Sequence, residues 1–216
     1  MSDIFFSELG IPHPDYHLEV GSGGHSDQTA RIMMKFDPIC VSENPDCVLL
    51  VGDVNSTLAC AVVAKKLHYK VAHVEAGLRS GDRDMPEEIN RLVTDAISDY
   101  FFVTEPSGID HLKVEGHADE TVFFVGHVMI DNLFYELEHL PAHSDSDVIA
   151  KLGPISDRYG VVTLHRPSNV DSKDCLEEII SALNALAESI DLIFPVHPRT
   201  RQRLSEFGLQ LNERIK

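Results

Sequence analysis

Basic residues are scarce in this chain of 216 residues, which has 18 Lys and Arg against 35 Asp and Glu and a formal net charge of −17. Nucleic acids and anionic membrane surfaces repel so acidic a chain, which argues against non-specific binding to either. The deficit is uneven, because residues 1–150 hold 9 basic and 26 acidic side chains while residues 151–216 hold 9 of each. This shift indicates a domain boundary near residue 150.

Long apolar runs and paired cysteines are also lacking. No stretch approaches the length of a membrane span, and the N-terminal MSDIFFSELG has neither the basic region nor the apolar core of a signal peptide. We therefore expect a cytoplasmic protein without a membrane partner. No CxxC pair occurs, and each cysteine lies in or beside an apolar segment, which predicts buried reduced thiols rather than disulfides or metal ligands. The four are Cys40, Cys47, Cys60 and Cys175.

The common cofactor and hydrolase motifs are missing. The segment GSGGH (21–25) lacks the GxGxxG and Walker spacings, so nicotinamide and ATP binding receive little support. There is no GxSxG elbow for a serine hydrolase. The histidines form no HExxH pair, and a metal site is not expected.

What the sequence does contain is a regular alternation of apolar strands and helices. A helix is predicted at 2–9 and another at 26–43, and the alternation follows them. Strands that are apolar throughout and alternate with helices indicate a parallel sheet covered on both faces. The predicted strands are 46–53, 70–77, 100–105 and 121–127, and the predicted helices are 55–67, 86–100, 106–116 and 130–140.

A polar stretch rich in Pro and Ser, 141–158, reads as a boundary with a short helix inside it. Beyond it we predict a strand at 160–166, a helix at 174–189, a strand at 191–198 and the start of a further helix. Two strands are too few to form a stable sheet alone. The expected domains are residues 1–145 and residues 146–216.

Ionisable residues gather where the predicted strands end. In open parallel sheets ligands bind at the carboxyl ends of the strands, so these residues indicate a polar site. Each alone is weak evidence, because a strand-end acid is about as often the N-cap of the next helix, and Asp53 could cap the helix beginning near Asn55. The residues are Asp53, Glu75, Glu105, His127, His165 with Arg166, and His197.

The predicted helix at Pro86 opens with two acids, as the helix dipole favours. Glu87, Arg91 and Asp95 lie four residues apart, which could form a solvated ladder of ion pairs. Alternatively, Glu87 lies near the strand end that carries Glu75, and two carboxylates near a histidine would suit proton transfer. The buried stripe of this helix is predicted to comprise Ile89, Leu92, Val93, Ala96 and Ile97.

Five segments taken together resemble the non-hydrolysing UDP-N-acetylglucosamine 2-epimerases, which interconvert UDP-GlcNAc and UDP-ManNAc. They are GDVNSTLA, HVEAGLRSGDRDMPEEINRLVTDAISD, VGHVMIDNL, VTLHRPSNVD and FPVHPRT. The resemblance implies an isomerase with two Rossmann-like domains of glycosyltransferase-B type and the nucleotide sugar in the cleft between them. It also implies a homodimer, no redox cofactor, and a place in polysaccharide biosynthesis.

Carried over by position, the resemblance implies roles for individual residues. It places the family's acid and base groups on Asp53, Glu75 and Glu87, and a further catalytic residue, a histidine, on His165. Chemistry in the family proceeds by anti elimination of UDP to 2-acetamidoglucal, followed by re-addition. The residues implied to place or neutralise the diphosphate are His165, Arg91, Arg166 and His197.

The chain departs from the family at both ends. It starts after the GTRPE-like loop and stops before the SGG(I/L)QEE-like segment, so we expect the 216 residues alone to have little or no epimerase activity. A non-catalytic remnant that binds a nucleotide sugar or a full-length partner is the alternative. Hydrolysing relatives that release free ManNAc also stay open, whereas a retaining glycosyltransferase is disfavoured by the HVEAGLR and PEEINR segments.

Overall fold

The computed structural model describes residues 11–140 and 147–216, so the helix predicted at 2–9 and the domain boundary predicted at 145/146 lie outside the described residues. Contacts divide the chain into two compact units, Met1–Glu138 and His139–Lys216. Among the described residues, no helix has both the length and the apolar character needed to cross a membrane.

The first unit is a four-stranded parallel sheet in the order β1-β2-β3-β4, with helices in each connection. The predicted alternation is therefore confirmed. Its elements are α1 (His25–Glu43), β1 (Cys47–Val51), α2 (Asn55–Lys66), β2 (Lys70–Val74), α3 (Pro86–Ile97), β3 (Tyr100–Val103), α4 (Pro106–Val114), a 3-10 turn (Asp119–Thr121), β4 (Val122–Phe124) and α5 (Val128–His139).

Apolar burial holds the middle of this unit together. One cluster packs β1 and β2 against α2 through Leu50, Ala61, Ala64 and Val71. A second centres on Phe101, which like the first cluster's Val71 is almost fully shielded from solvent. At roughly 25 cal/mol per Å² of apolar area, each such side chain stabilises the fold by about 2 kcal/mol.

From residue 147 onward, the second unit contains a two-stranded parallel sheet and four helices. Its elements are α6 (Asp147–Leu152), β5 (Tyr159–Val161), α7 (Pro167–Val170), α8 (Lys173–Ala187), β6 (Asp191–Ile193) and α9 (Pro198–Phe207). After Gly208 ends α9 in the left-handed conformation, the chain returns to the sheet, where Ile215 bridges Leu192 in parallel. This return adds hydrogen bonds to a sheet that the sequence predicts to be too small.

The buried face of α3 differs from the prediction. Its apolar residues are not the buried ones, because Ile89, Val93 and Ala96 are exposed while Leu92 and Ile97 are only half-buried. The residues that α3 buries are polar, and each except Thr94 has hydrogen bonds that offset the cost of burial. They are Glu88, Asn90, Thr94 and Asp95.

The cysteines also differ in part from expectation. All four are free thiols, but only Cys40 is buried; Cys60 and Cys175 are half-buried and Cys47 is exposed on β1. Cys47 is exposed because Cys47–Val51 lies at the edge of the sheet, paired only with β2 among the described strands.

Candidate functional site

Two acids follow the neighbouring strands β1 and β2. These strands pair in register, with Val51 opposite Val74, so that Asp53 and Glu75 emerge at one edge of the sheet. We call these two residues the carboxylate pair. Their side chains are partly exposed, as a group that meets a ligand must be.

The backbone at the carboxylate pair is held in unusual conformations. Glu75 has φ 71°, a left-handed value that is uncommon for a residue with a Cβ. It is fixed by hydrogen bonds from the amides of Glu75 and Ala76 to Phe102 O, at 3.0 and 3.3 Å. Gly52, at φ 73°, has no Cβ; one built there would lie 3.6 Å from Glu75 Oε2. The carboxylate of Glu75 therefore lies over the turn that leads to Asp53.

Asp53 is held by α3 rather than capping α2. The N-cap of α2 is Val54, so the capping alternative for Asp53 is wrong. Instead, Arg91 Nη2 lies 2.5 Å from Asp53 Oδ2, and Asn90 Nδ2 donates to the backbone oxygen of Asp53 at 2.8 Å. One helix thus fixes both the carboxylate and the backbone of Asp53.

Arg91 bridges two carboxylates. Its second nitrogen, Nη1, lies 2.9 Å from Oε2 of Glu88, which is buried. The amides of Ser80 and Gly81 donate to Glu88 at 2.9 and 3.1 Å. Burial alone would raise the pKa of Glu88, but these donors and Arg91 outweigh it and lower the pKa to about 2. Glu88 is therefore a fixed anion that anchors Arg91. The sequence analysis predicted Arg91 as a site residue but did not include Glu88.

Glu87, the residue before Glu88 on α3, is half-buried. Within the described parts of the chain its side chain forms no hydrogen bond or ion pair. The solvated ladder of Glu87, Arg91 and Asp95 is not observed, since Arg91 turns to Asp53 and Asp95 is fully buried. Glu87 is thus free to meet a ligand, which its predicted role requires.

A second buried network lies beneath the carboxylate pair. Asp95 accepts from the Gly77 amide at 3.0 Å and pairs with Arg79 at 2.7 Å and with His73 at 2.6 Å. Burial would raise the pKa of Asp95, but His73, Arg79 and the Gly77 amide lower it. Arg79 also forms a bidentate pair with Glu115. One signal for this network is visible in the sequence, where His73 lies among the apolar residues of the segment VAHV (71–74).

The other two predicted strand-end residues of this unit differ in setting. Glu105 is exposed and is the N-cap of α4, although its side chain makes no capping hydrogen bond. His127 is half-buried, and its Nδ1 has no hydrogen-bond partner among the described residues. Neither is brought to the carboxylate pair by a contact.

In the second unit, His165 and His197 lie together. Their ring centroids are 6.0 Å apart, because Thr200 in the first turn of α9 donates to Leu164 O at 2.5 Å and ties the helix to the segment before His165. The Arg199 amide donates to His197 Nδ1 at 3.2 Å, so the neutral ring carries its hydrogen on Nε2. Both rings are exposed, as is Arg166, the N-cap of α7.

Nearby arginines are already engaged. Arg199 forms a bidentate ion pair with the carboxylate of Asp171, at 3.0 and 2.5 Å, and Arg203 donates to the same carboxylate at 3.3 Å. The hydrogen bond from Arg199, with help from Arg203, lowers the pKa of Asp171. The predicted ligand-binding residues His165, Arg166 and His197, by contrast, are exposed.

Known proteins resemble this chain along its whole length. The family model described as UDP-N-acetylglucosamine 2-epimerase matches residues 1–216. The chain is 41% identical to the UDP-N-acetylglucosamine 2-epimerase of Methanocaldococcus jannaschii, covering 100% of this chain and 61% of that protein. It is 40% identical to the UDP-2,3-diacetamido-2,3-dideoxy-D-glucuronate 2-epimerase of Pseudomonas aeruginosa, covering 100% and 60%.

Solved structures give the same result. The Methanocaldococcus jannaschii 2-epimerase, in complex with UDP-GlcNAc and UDP, superposes with a TM-score of 0.87 at 42% identity, over 100% of this chain and 61% of that one. The agreement confirms the predicted fold class, a Rossmann-like α/β chain of glycosyltransferase-B type. The chain spans about 60% of the length of these relatives. Since the family model matches every residue, the chain belongs to the UDP-N-acetylglucosamine 2-epimerase family.

Proposed function

We propose that the protein interconverts UDP-GlcNAc and UDP-ManNAc by eliminating and re-adding UDP, as an isomerase without a redox cofactor. The observation that carries the proposal is the carboxylate pair, two acids held over one turn by a strained Glu75 backbone and by Arg91. Epimerisation at C2 must remove a proton from one face of the sugar and return it to the other. Two acidic groups at one edge of the sheet can divide this work, because one can accept the proton while the other returns it.

The proposed roles follow the groups that remain open. Asp53, Glu75 and Glu87 would handle protons, with His165 also catalytic. His197 and Arg166 would bind the diphosphate, since an Nε2–H donor and an unpaired guanidinium suit phosphate oxygens. The predicted contact of Arg91 with diphosphate stays a prediction, and the pairs with Asp53 and Glu88 support an additional role in orienting Asp53.

The sugar of the substrate has a second candidate. The relative from Pseudomonas aeruginosa is named for a 2,3-diacetamido glucuronate, and its 40% identity equals that of the 2-epimerase of Methanococcus maripaludis. Both substrates carry an acetamido group at C2, so the same proton chemistry would serve either. We propose UDP-GlcNAc as the first to assay and the glucuronate as the second.

The experiment is turnover in deuterated water, with incubation long enough to detect the low activity expected of the 216 residues alone. Elimination and re-addition put solvent deuterium on C2, so proton NMR should show C2 deuteration together with UDP-ManNAc. Asp53→Asn and Glu75→Gln should each lower kcat by roughly 10²-fold or more, whereas the exposed Glu105→Gln serves as the control that retains activity. Binding without deuteration would support the remnant alternative and refute catalysis. Free ManNAc as product would indicate a hydrolysing relative instead.

We also propose that the protein works in the cytoplasm as a homodimer, in the service of polysaccharide biosynthesis, and without a nucleic-acid or membrane partner. Free thiols suit a reducing compartment, and the acidic charge disfavours polyanions. A groove of about 500 Å³ lined in part by Met33, Leu58 and Ile89 supports self-association. Met34 and Val93, which belong to the same two helices as Met33 and Ile89, are also exposed.

A further inference from the structure

His73 is a histidine for which both ring nitrogens face acceptors. It lies in β2 with no exposed surface. Its Nε2 is 2.9 Å from the carbonyl oxygen of Gly52, and its Nδ1 is 2.6 Å from Asp95 Oδ1. A carbonyl oxygen can only accept a hydrogen bond, so Nε2 must carry a hydrogen.

The other ring nitrogen faces a buried carboxylate. Oδ1 of Asp95 lies against Nδ1 of His73, while Oδ2 receives Arg79 at 2.7 Å and the Gly77 amide at 3.0 Å. His73 therefore joins Asp95 to the turn at Gly52, with one ring nitrogen facing each.

The ring of His73 holds the turn in front of the carboxylate pair. Two hydrogen bonds hold Gly52, and both are to residues of β2. The amide of Gly52 donates to Val74 O at 3.1 Å, and its carbonyl accepts from His73. Asp53 is the next residue. Glu75 directly follows Val74, the last residue of β2. The two hydrogen bonds of Gly52 therefore set the position of Asp53 relative to Glu75.

We propose that His73 is a positioning residue for the reaction, one that fixes the Gly52 carbonyl and so places Asp53 beside Glu75. The part of this inference that concerns catalysis rests on the proposed epimerase activity. The part that concerns the turn does not, and the two are tested separately.

The first test is the position of the ring hydrogen in the unmutated chain. A long-range proton–nitrogen NMR correlation should show a hydrogen on Nε2 of His73, because donation to the Gly52 carbonyl requires it. An Nε2 without a hydrogen would refute the hydrogen bond to Gly52.

The second test uses two neutral isosteres that differ in reach. In His73→Gln the amide nitrogen overlays Nε2 and can still donate to Gly52, whereas in His73→Asn it overlays Nδ1 and can reach only Asp95. Amide exchange at Gly52 should be roughly tenfold faster in His73→Asn than in His73→Gln, the cost of one lost hydrogen bond. Equal exchange rates in the two variants would show that the hydrogen bond from His73 does not hold Gly52 in place.

Asp99→Asn is the matched structural control. Asp99 also joins the end of α3 to β2, but at the other end of the strand, through the Val71 amide at 2.8 Å and through Lys65 and Lys70. This variant should destabilise the unit without changing Gly52 exchange relative to neighbouring amides. Selective loosening of Gly52 in Asp99→Asn would count against a specific role for His73.

The catalytic part is read from C2 deuteration of UDP-GlcNAc. We expect His73→Asn to lower kcat roughly 10²-fold with little change in KM, and His73→Gln and Asp99→Asn to stay within a few-fold of the parent. If amide exchange at Gly52 is faster in His73→Asn but kcat is unchanged, the positioning role is refuted. A parent chain that deuterates nothing would refute catalysis by the 216 residues, and the Gly52 comparison would then decide the role of His73 in the turn.

Discussion

Replacing Glu88 by Gln should lower stability, whereas the same change at Glu87 should not. Glu88 is 2% exposed and carries hydrogen bonds from two backbone amides and from Arg91. Its pKa falls from an ordinary value of 4.5 to about 2. At 1.36 kcal/mol per pKa unit, the ionised carboxylate stabilises the folded state by about 3 kcal/mol at neutral pH.

The sign of the pH dependence follows from the same shift. The folded pKa lies below the unfolded one, so between about pH 4.5 and pH 2 the unfolded state binds more protons. The stabilisation by Glu88 is thus fully present above pH 4.5 and is lost as pH falls towards 2. Glu88→Gln should remove this part of the pH dependence, because the amide does not titrate.

The assay is urea unfolding followed by far-ultraviolet circular dichroism at several pH values. Glu88→Gln should lower the free energy of unfolding at pH 7 by about 3 kcal/mol, and its difference from the parent should shrink as pH approaches 2. Glu87→Gln, one position away, should be within about 0.5 kcal/mol of the parent. A constant difference between Glu88→Gln and the parent across this range would refute the ionised-anchor account.

Two further predictions concern backbone packing and assembly. A Cβ on Gly77 would lie 2.3 Å from Gly108 O, so Gly77→Ala should destabilise by more than about 2 kcal/mol; Gly81→Ala, at a similar φ of 74° but in open space, should cost about 1 kcal/mol in the same urea titration. Equal losses would show that φ alone decides. Val93 is exposed on α3, four residues after Ile89, which lines the groove. Changing Val93 to Glu should disrupt the proposed dimer and lower the mass measured by sedimentation. An unchanged mass would place the dimer surface elsewhere.

The order of strands and helices was predictable because it depends on local pattern. Apolar runs such as VLLV and helix starts such as Pro86 are visible within a few residues, and the structure confirms the alternation they predict. The segment after Gly208 was not predicted, because its pairing with β6 depends on a partner some twenty residues earlier rather than on its own pattern.

The polar interior of α3 was missed for a different reason. Periodicity assumes that apolar residues point inward, and Ile89 and Val93 fit that assumption in sequence although they are exposed in the fold. Whether Glu88 or Asp95 can be buried depends on donors from Ser80, Arg91 and His73, which only the tertiary structure brings near. The assignments of Asp53, Glu75, Glu87, His165, Arg91, Arg166 and His197 stay predictions for the turnover assay.

The polar buried face of α3 also restricts how this helix can be aligned. A helix with an apolar stripe can slide by one turn along a sheet and still bury methyl groups, so its register is weakly specified. On α3, Glu88 needs the Ser80 and Gly81 amides, Asn90 needs the Asp53 carbonyl, and Asp95 needs His73. A shift by one turn would leave all three buried without partners, at about 1 to 3 kcal/mol or more for each. The groups that shape the site therefore also select a single alignment of the helix that carries Glu87 and Arg91.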